Sequence, residues 1–105
     1  MNDPTTPRAT NTLFPLGRVL STPGALAALE EAGVSPASLI ARHVTGDWGD
    51  LSEDDKKAND DTLIDGSRIL SAYRLSTGVK IWIITEATDD QGRRAATTFL
   101  LPEEY

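Results

Sequence analysis

The chain has no cysteine, one histidine, one methionine and, in 105 residues, only two each of tryptophan, tyrosine and phenylalanine. Without cysteine there can be no disulfide scaffold, thiolate metal centre or cysteine nucleophile, so packing alone must hold the fold. That suits a reducing, cytoplasmic setting. No run of large apolar residues exceeds Ile81-Trp82-Ile83-Ile84, which is far too short to span a bilayer, and none follows Met1, so no membrane partner is expected. A phosphate-cradling glycine loop, a zinc spacing, a serine elbow and an HExxH pattern are all missing. These gaps weigh against an enzyme and give no reason to expect a cofactor or a metal.

Charge is present, but in one place. The net charge is −6, and the segment Asp47–Asp65 alone supplies it, with eight acids against Lys56 and Lys57. Such a field opposes sequence-independent nucleic-acid binding, which needs cations to neutralise phosphates. The C-terminal third holds Arg68, Arg74, Lys80, Arg93 and Arg94, the only basic cluster that could offset it. Composition is otherwise that of one globular domain, with 39% hydrophobic and 25% charged residues.

Residues 1–12, with two prolines and no large apolar residue after Met1, read as a tail before a single domain over 13–105. Pro15 limits Gly17–Ser21 to a short edge strand. Thr22-Pro23 and Gly33 bracket a first helix, and Ser35-Pro36 opens a second that buries Leu39 and Ile40. Ser52 with Glu53, Asp54 and Asp55 begins a third helix, ending before Gly66, thin in apolar residues. Beyond Arg68 the period becomes two. Ile69, Ser71, Tyr73 and Leu75 face one way, and Leu70 and Ala72, with Arg68 and Arg74, the other. Val79–Ala87 reads as a central strand and Ala95–Leu101 as the last, with Thr97 and Phe99 opposite Thr98 and Leu100. Glu86, inside that apolar central strand, would need a partner such as Arg68, Arg74 or His43. The expected fold is α+β: three helices on a three- or four-stranded antiparallel sheet ending in a β-meander. An exposed edge at Gly17–Ser21 or Ala95–Leu101 would allow a homodimer.

Between the second and third helices, His43-Val44-Thr45-Gly46-Asp47-Trp48-Gly49-Asp50-Leu51 gathers the lone histidine, a tryptophan and two aspartates around two glycines. Loops of this content often carry function. Trp48 reads either as a plug for the core beneath the loop or as a partner-binding aromatic. Asp47, Asp50, Glu53 and Asp54 lack the EF-hand spacing for a cation and read as loop, cap or docking residues.

Gly17–Leu26, Arg42–Leu51, Arg68–Tyr73, Trp82–Ala87, Thr97-Thr98 and Leu100–Tyr105 together resemble a family of small bacterial proteins carried on plasmids and other mobile elements. Some members carry a label linking them to type I restriction-modification subunits. This chain has no room for a methyltransferase domain and lacks its glycine-rich loop, so the resemblance implies a setting and no activity. Its Thr88–Ala96 turn is longer than the tight hairpin of that family. In element order the chain also resembles small toxin-type RNases of the barnase, EndoU, colicin and RelE kind. That likeness implies His43 as general acid or base, Arg68 or Arg74 on the phosphate, and Thr97 or Thr98 as hydrogen-bond donor. Two functions are therefore expected to compete. One is a non-catalytic module binding another protein through the His43–Leu51 loop (Asp47, Trp48, Asp50) and the acidic third helix (Glu53, Asp54). The other is an RNase-like enzyme using His43, Arg68, Arg74 and Thr98.

Overall fold

Residues 12–105 are described by a computed structural model; the expected N-terminal tail, Thr12 apart, lies outside them. The element order is β1 (Arg18–Ser21), α1 (Pro23–Ala32), α2 (Pro36–Val44), α3 (Glu53–Asp65), β2 (Ile69–Arg74), β3 (Lys80–Thr85) and β4 (Ala96–Leu100), closed by a 3₁₀ turn at Pro102–Glu104. The fold is α+β. No helix among the described residues is long and apolar enough to cross a membrane.

Each helix starts where its capping chemistry starts it. The Oγ1 of Thr22 accepts the Ala25 amide at 3.1 Å, Ser35 Oγ accepts that of Ala37 at 3.1 Å, and Ser52 Oγ accepts that of Asp55 at 3.1 Å. Pro23 and Pro36 occupy first-turn positions, where a missing N–H costs nothing. Gly33 ends α1 in the left-handed region at φ 68°.

The sheet order is β1-β4-β3-β2. β2, β3 and β4 form the expected antiparallel meander, whereas β1 joins β4 in parallel, with Val19 opposite Thr97 and Leu20 opposite Thr98. The helices and two strands between β1 and β4 act as a long crossover that returns the chain in the same direction. β4 is consequently interior, so the edge expected at Ala95–Leu101 is absent; the edges are β1 and β2.

Alternation along the strands sorts the side chains onto two faces. Tyr73, Ile81, Ile83 and Phe99 point under α1 and α2, where they pack with Ala25, Leu29 and Leu39. Each such side chain contributes roughly 1.5–3 kcal/mol by leaving water. A second cluster, Phe14, Val44, Trp48 and Ile69, closes the other end of that layer. The opposite face carries Leu70, Trp82, Ile84 and Thr98, half-buried, beside Ala72 and Leu100, which are buried; α1 and α2 pack on the other face, and here, among the described residues, only the C-terminal 3₁₀ turn approaches, bringing Tyr105 onto Trp82.

α3 flanks the β2 edge, and one of its residues supplies the hydrogen bonds. Asn59 Nδ2 donates to the Leu70 carbonyl at 2.5 Å, and its Oδ1 accepts the Leu70 amide at 3.2 Å, so one side chain stands in for a missing strand. Two residues along, the Ala72 amide donates to Trp48 O at 3.1 Å and the Asp50 amide to Ala72 O at 2.6 Å. Asp50 Oδ2 then accepts the Arg74 amide at 3.1 Å. The β2 edge is thus closed.

Candidate functional site: a sealed histidine and an uncovered sheet face

His43 sits on the apolar side of α2, and the strands meet it with hydroxyls. Its ring is fully buried, with Nδ1 at 2.5 Å from Ser71 Oγ and Nε2 at 2.9 Å from Thr85 Oγ1. Thr85 Oγ1 is 2.7 Å from Thr97 Oγ1, which donates to the Leu16 carbonyl at 2.8 Å. The last link fixes every proton. Because Thr97 gives its hydrogen to a carbonyl, it must accept from Thr85; Thr85 must then accept from His43 Nε2–H, which leaves Nδ1 to accept from Ser71. The imidazole is therefore the neutral Nε2–H tautomer, and burial holds its pKa down to about 4. Phe14 and Trp48 close edge-on against the ring, at centroid distances of 5.2 and 6.1 Å. Nothing is left over for a substrate.

Trp48 is part of this seal. It is 4% exposed, packs with Phe14, Val44 and Ile69, and reaches Asp60 Oδ1 on α3 with its Nε1–H at 3.3 Å. The plug reading of Trp48 holds, and no aromatic ring is offered to a partner from this loop. Asp47 makes a side-on pair with Arg42, at 2.6 Å to Nε and 3.2 Å to Nη2, and accepts the Gly49 amide at 3.2 Å. The Arg42 guanidinium holds the Asp47 carboxyl below the usual carboxylate range. Arg42 also lies 4.5 Å above the Tyr73 ring, whose hydroxyl donates to Asp47 O at 2.6 Å; burial pushes that phenol up to about 12. Asp50 is committed to the β2 edge. Glu53 and Asp54 are exposed in the first turn of α3, where Glu53 meets Lys56 at 3.5 Å. Among the described residues no cluster of histidines and carboxylates could hold a metal ion.

The catalytic set expected from the RNase likeness is not assembled. His43 lies in the helix layer, whereas Arg74 and Thr98 take the strand parity of the opposite face and Arg68 continues it before β2. The sheet stands between them. Of the two threonines, Thr97 does reach the histidine network, but as a link that passes its hydrogen to a backbone carbonyl. Glu86 is likewise not the buried carboxylate expected: β3 ends at Thr85, and Glu86 is exposed and outside the ion pairs of the described residues.

Two residues hold the frame in roles that the sequence does not announce. Asn59, in a helix that reads as a solvated face, closes the β2 edge. Arg94, in what reads as a polar turn, is 5% exposed and donates to the carbonyls of Ser67 (2.7 Å), Glu86 (2.9 Å) and Thr62 (3.3 Å). It joins the end of α3 to the β3–β4 hairpin. A cleft of about 330 Å³ lies beside it, lined by Leu13, Phe14, Leu63, Ile64 and Asp65 but not by His43.

The uncovered face has the features that the loop lacks. Trp82 lies at its centre, between Ala72 and Leu100 in register, with Tyr105 packed against it at 5.7 Å and 64°. Arg68 sits 5.1 Å from the Tyr105 ring centroid and donates to its hydroxyl. Arg74 and Lys80 are register partners at one end of the face, and Arg18 lies on β1 across from Ala96 at the other. None of these four cations has a carboxylate within ion-pair distance among the described residues. Comparison of the chain with protein-family models, curated proteins and solved structures gives no match.

Proposed function

We propose that the chain is a small non-catalytic accessory protein of plasmids and other mobile elements that docks another protein through the uncovered face of its sheet. The setting rests on the resemblance of Gly17–Leu26, Arg42–Leu51, Arg68–Tyr73 and Leu100–Tyr105 to such proteins. A cysteine-free chain fits work in the cytoplasm.

One observation carries the docking surface: an apolar centre of Trp82, Ile84 and Leu70 framed by four cations that have no carboxylate partner among the described residues. Tryptophan, tyrosine and arginine are the side chains that most often anchor protein interfaces, because they bury large area at modest entropic cost. The framing charges select an acidic surface with an apolar middle. On the helix side, the exposed acids of α3 repel the same partner, so the charge distribution orients the encounter. The docking surface is thereby moved from the His43–Leu51 loop to the sheet, since Trp48 is spent on the core.

The test is photo-crosslinking in cells, with a photoreactive amino acid at Trp82 or, separately, at Lys57 on α3. The expected result is a protein adduct from position 82 that disappears when Arg68, Arg74 and Lys80 are all changed to Glu. Adducts from position 57 alone, or a nucleic acid as the species captured at 82, would contradict the reading.

A further inference from the structure

The two edges of the sheet are treated differently, and the difference identifies a second surface. β2 has every outward-facing backbone group between Leu70 and Arg74 occupied by Asn59, Trp48 or Asp50. Among the described residues β1 has none of this. Its inward groups are set by the parallel register: Arg18 donates to Ala95 O and Thr22 to Phe99 O, so the even-numbered residues face β4. Val19 and Ser21 then point their amides and carbonyls outward. No described residue bonds the Val19 or Ser21 amide. The strand is short and carries one charge, Arg18, but no lysine, proline or bulge interrupts it. Its side chains are exposed instead, Val19 at 52% and Leu20 at 41%.

We infer that β1 pairs antiparallel with β1 of a second copy of this chain across a twofold axis through Leu20. The register follows from the outward groups. Val19 of one protomer exchanges both of its backbone bonds with Ser21 of its partner, and Ser21 with the partner's Val19, which makes a closed, self-complementary ladder of about four hydrogen bonds. Leu20 meets the partner's Leu20 in the close, non-bonded position on the uncovered face, apolar against apolar. Arg18 falls opposite the partner's Thr22, so the single charge of the strand is kept off its own copy. The pairing is self-complementary: the same outward groups of Val19 and Ser21 and the same central Leu20 serve both sides, so one surface satisfies both protomers.

The axis is perpendicular to the sheet, as antiparallel edge pairing requires. Both uncovered faces therefore lie on one side and both helix layers on the other. The pair becomes a continuous eight-stranded sheet, in which the two Leu20 side chains sit at the middle of a row that runs outward through Thr98 to Ile84 and Leu70 of each copy. The inference stands on the β1 edge and not on the identity of the docking partner, so either can fail without the other.

Sedimentation of the full chain over a range of concentrations reads the assembly. The expected result is a monomer–dimer equilibrium. Val19→Pro removes only an outward N–H and spares the bonds to β4; together with its copy across the axis it should weaken association about tenfold or more. Leu20→Glu, placing like charges face to face, should do at least as much. In this cysteine-free chain Leu20→Cys supplies a positive readout, because α-carbons about 4.5 Å apart in a non-bonded antiparallel pair suit a disulfide. Under a mild oxidant, such as oxidised glutathione, it should form a covalent dimer, and Ser76→Cys on the β2–β3 hairpin should not. A monomer at all concentrations would overturn the proposal. So would a dimer indifferent to Val19→Pro and Leu20→Glu and not trapped by Leu20→Cys. Melting curves of each variant separate loss of association from loss of fold.

Discussion

His43 shows how a residue suited to chemistry can be consumed by structure. Its two ring nitrogens are saturated by Ser71 and Thr85, and its faces by Phe14 and Trp48. A second proton would have to displace the Ser71 hydrogen from Nδ1 in a dry layer. Stability should respond to pH accordingly. The folded pKa, about 4, lies below the ordinary 6.5, so the folded state favours the neutral ring. Stability is then fully present above pH 6.5 and is lost as the unfolded state takes up a proton between about 6.5 and 4, on the order of 3 kcal/mol in all. Urea midpoints measured across that window should fall, and a folded His43→Gln variant should show a flatter slope; identical slopes would mean that His43 titrates normally. The carboxylates of Asp47 and Glu104, held below their ordinary range by Arg42 and Thr22 respectively, lose their contribution only at lower pH. Trp48→Ala should cost about 3–5 kcal/mol in chemical denaturation, as for a buried aromatic; a loss under about 1 kcal/mol would contradict its burial.

Among the elements, β2 and α3 are joined by hydrogen bonds from a single amide side chain, beside the packing of Leu63 near Ile69. Asn59→Ala leaves the Leu70 amide and carbonyl without partners, which should cost about 1–3 kcal/mol and speed hydrogen exchange at the Leu70 amide while leaving Ile83 protected. Gly49 is the companion case. It holds φ 79° against β2, where an added methyl group would collide with the Ala72 carbonyl oxygen and the Tyr73 ring. Gly49→Ala should therefore destabilise more than Gly33→Ala, whose open surroundings leave only the left-handed backbone cost of roughly 1 kcal/mol, as denaturation of both variants would show. Much at this scale was legible in the sequence, because caps and alternation are local: Thr22-Pro23, Ser35-Pro36, Ser52 and the parity of Ile69–Arg74 all announce themselves. The parallel entry of β1 was not, since it depends on where a long crossover ends. Nor was the role of Asn59, which is indistinguishable in sequence from the polar residues around it. Arg94 was hidden for the same reason: its three carbonyl partners come from segments far apart in the chain.

At the scale of the whole molecule the sheet divides two chemistries. On one side the histidine of α2 and its hydroxyl partners are sealed beneath Phe14 and Trp48, and on the other Trp82 and four cations face outward. Alternation alone leaves Arg68, Arg74 and Thr98 within reach of His43, because it assigns residues to faces without saying which face the helices cover. Once α2 occupies the face of Thr85 and Thr97, the catalytic reading separates into halves that cannot meet. The charge is divided too, so partner binding through the sheet should weaken with ionic strength as unpaired surface cations are screened, whereas melting temperature should change little.

His43 is the residue on which this division turns, and nitrogen NMR of its imidazole tests it most directly. The prediction is a neutral ring carrying its proton on Nε2, with shifts constant from pH 8 down to about 5. A proton on Nδ1 would reverse the hydrogen-bond chain derived above, and a ring that titrates near 6.5 would mean that His43 is open to solvent and available for chemistry, so that the two sides of the sheet would have to be reassigned.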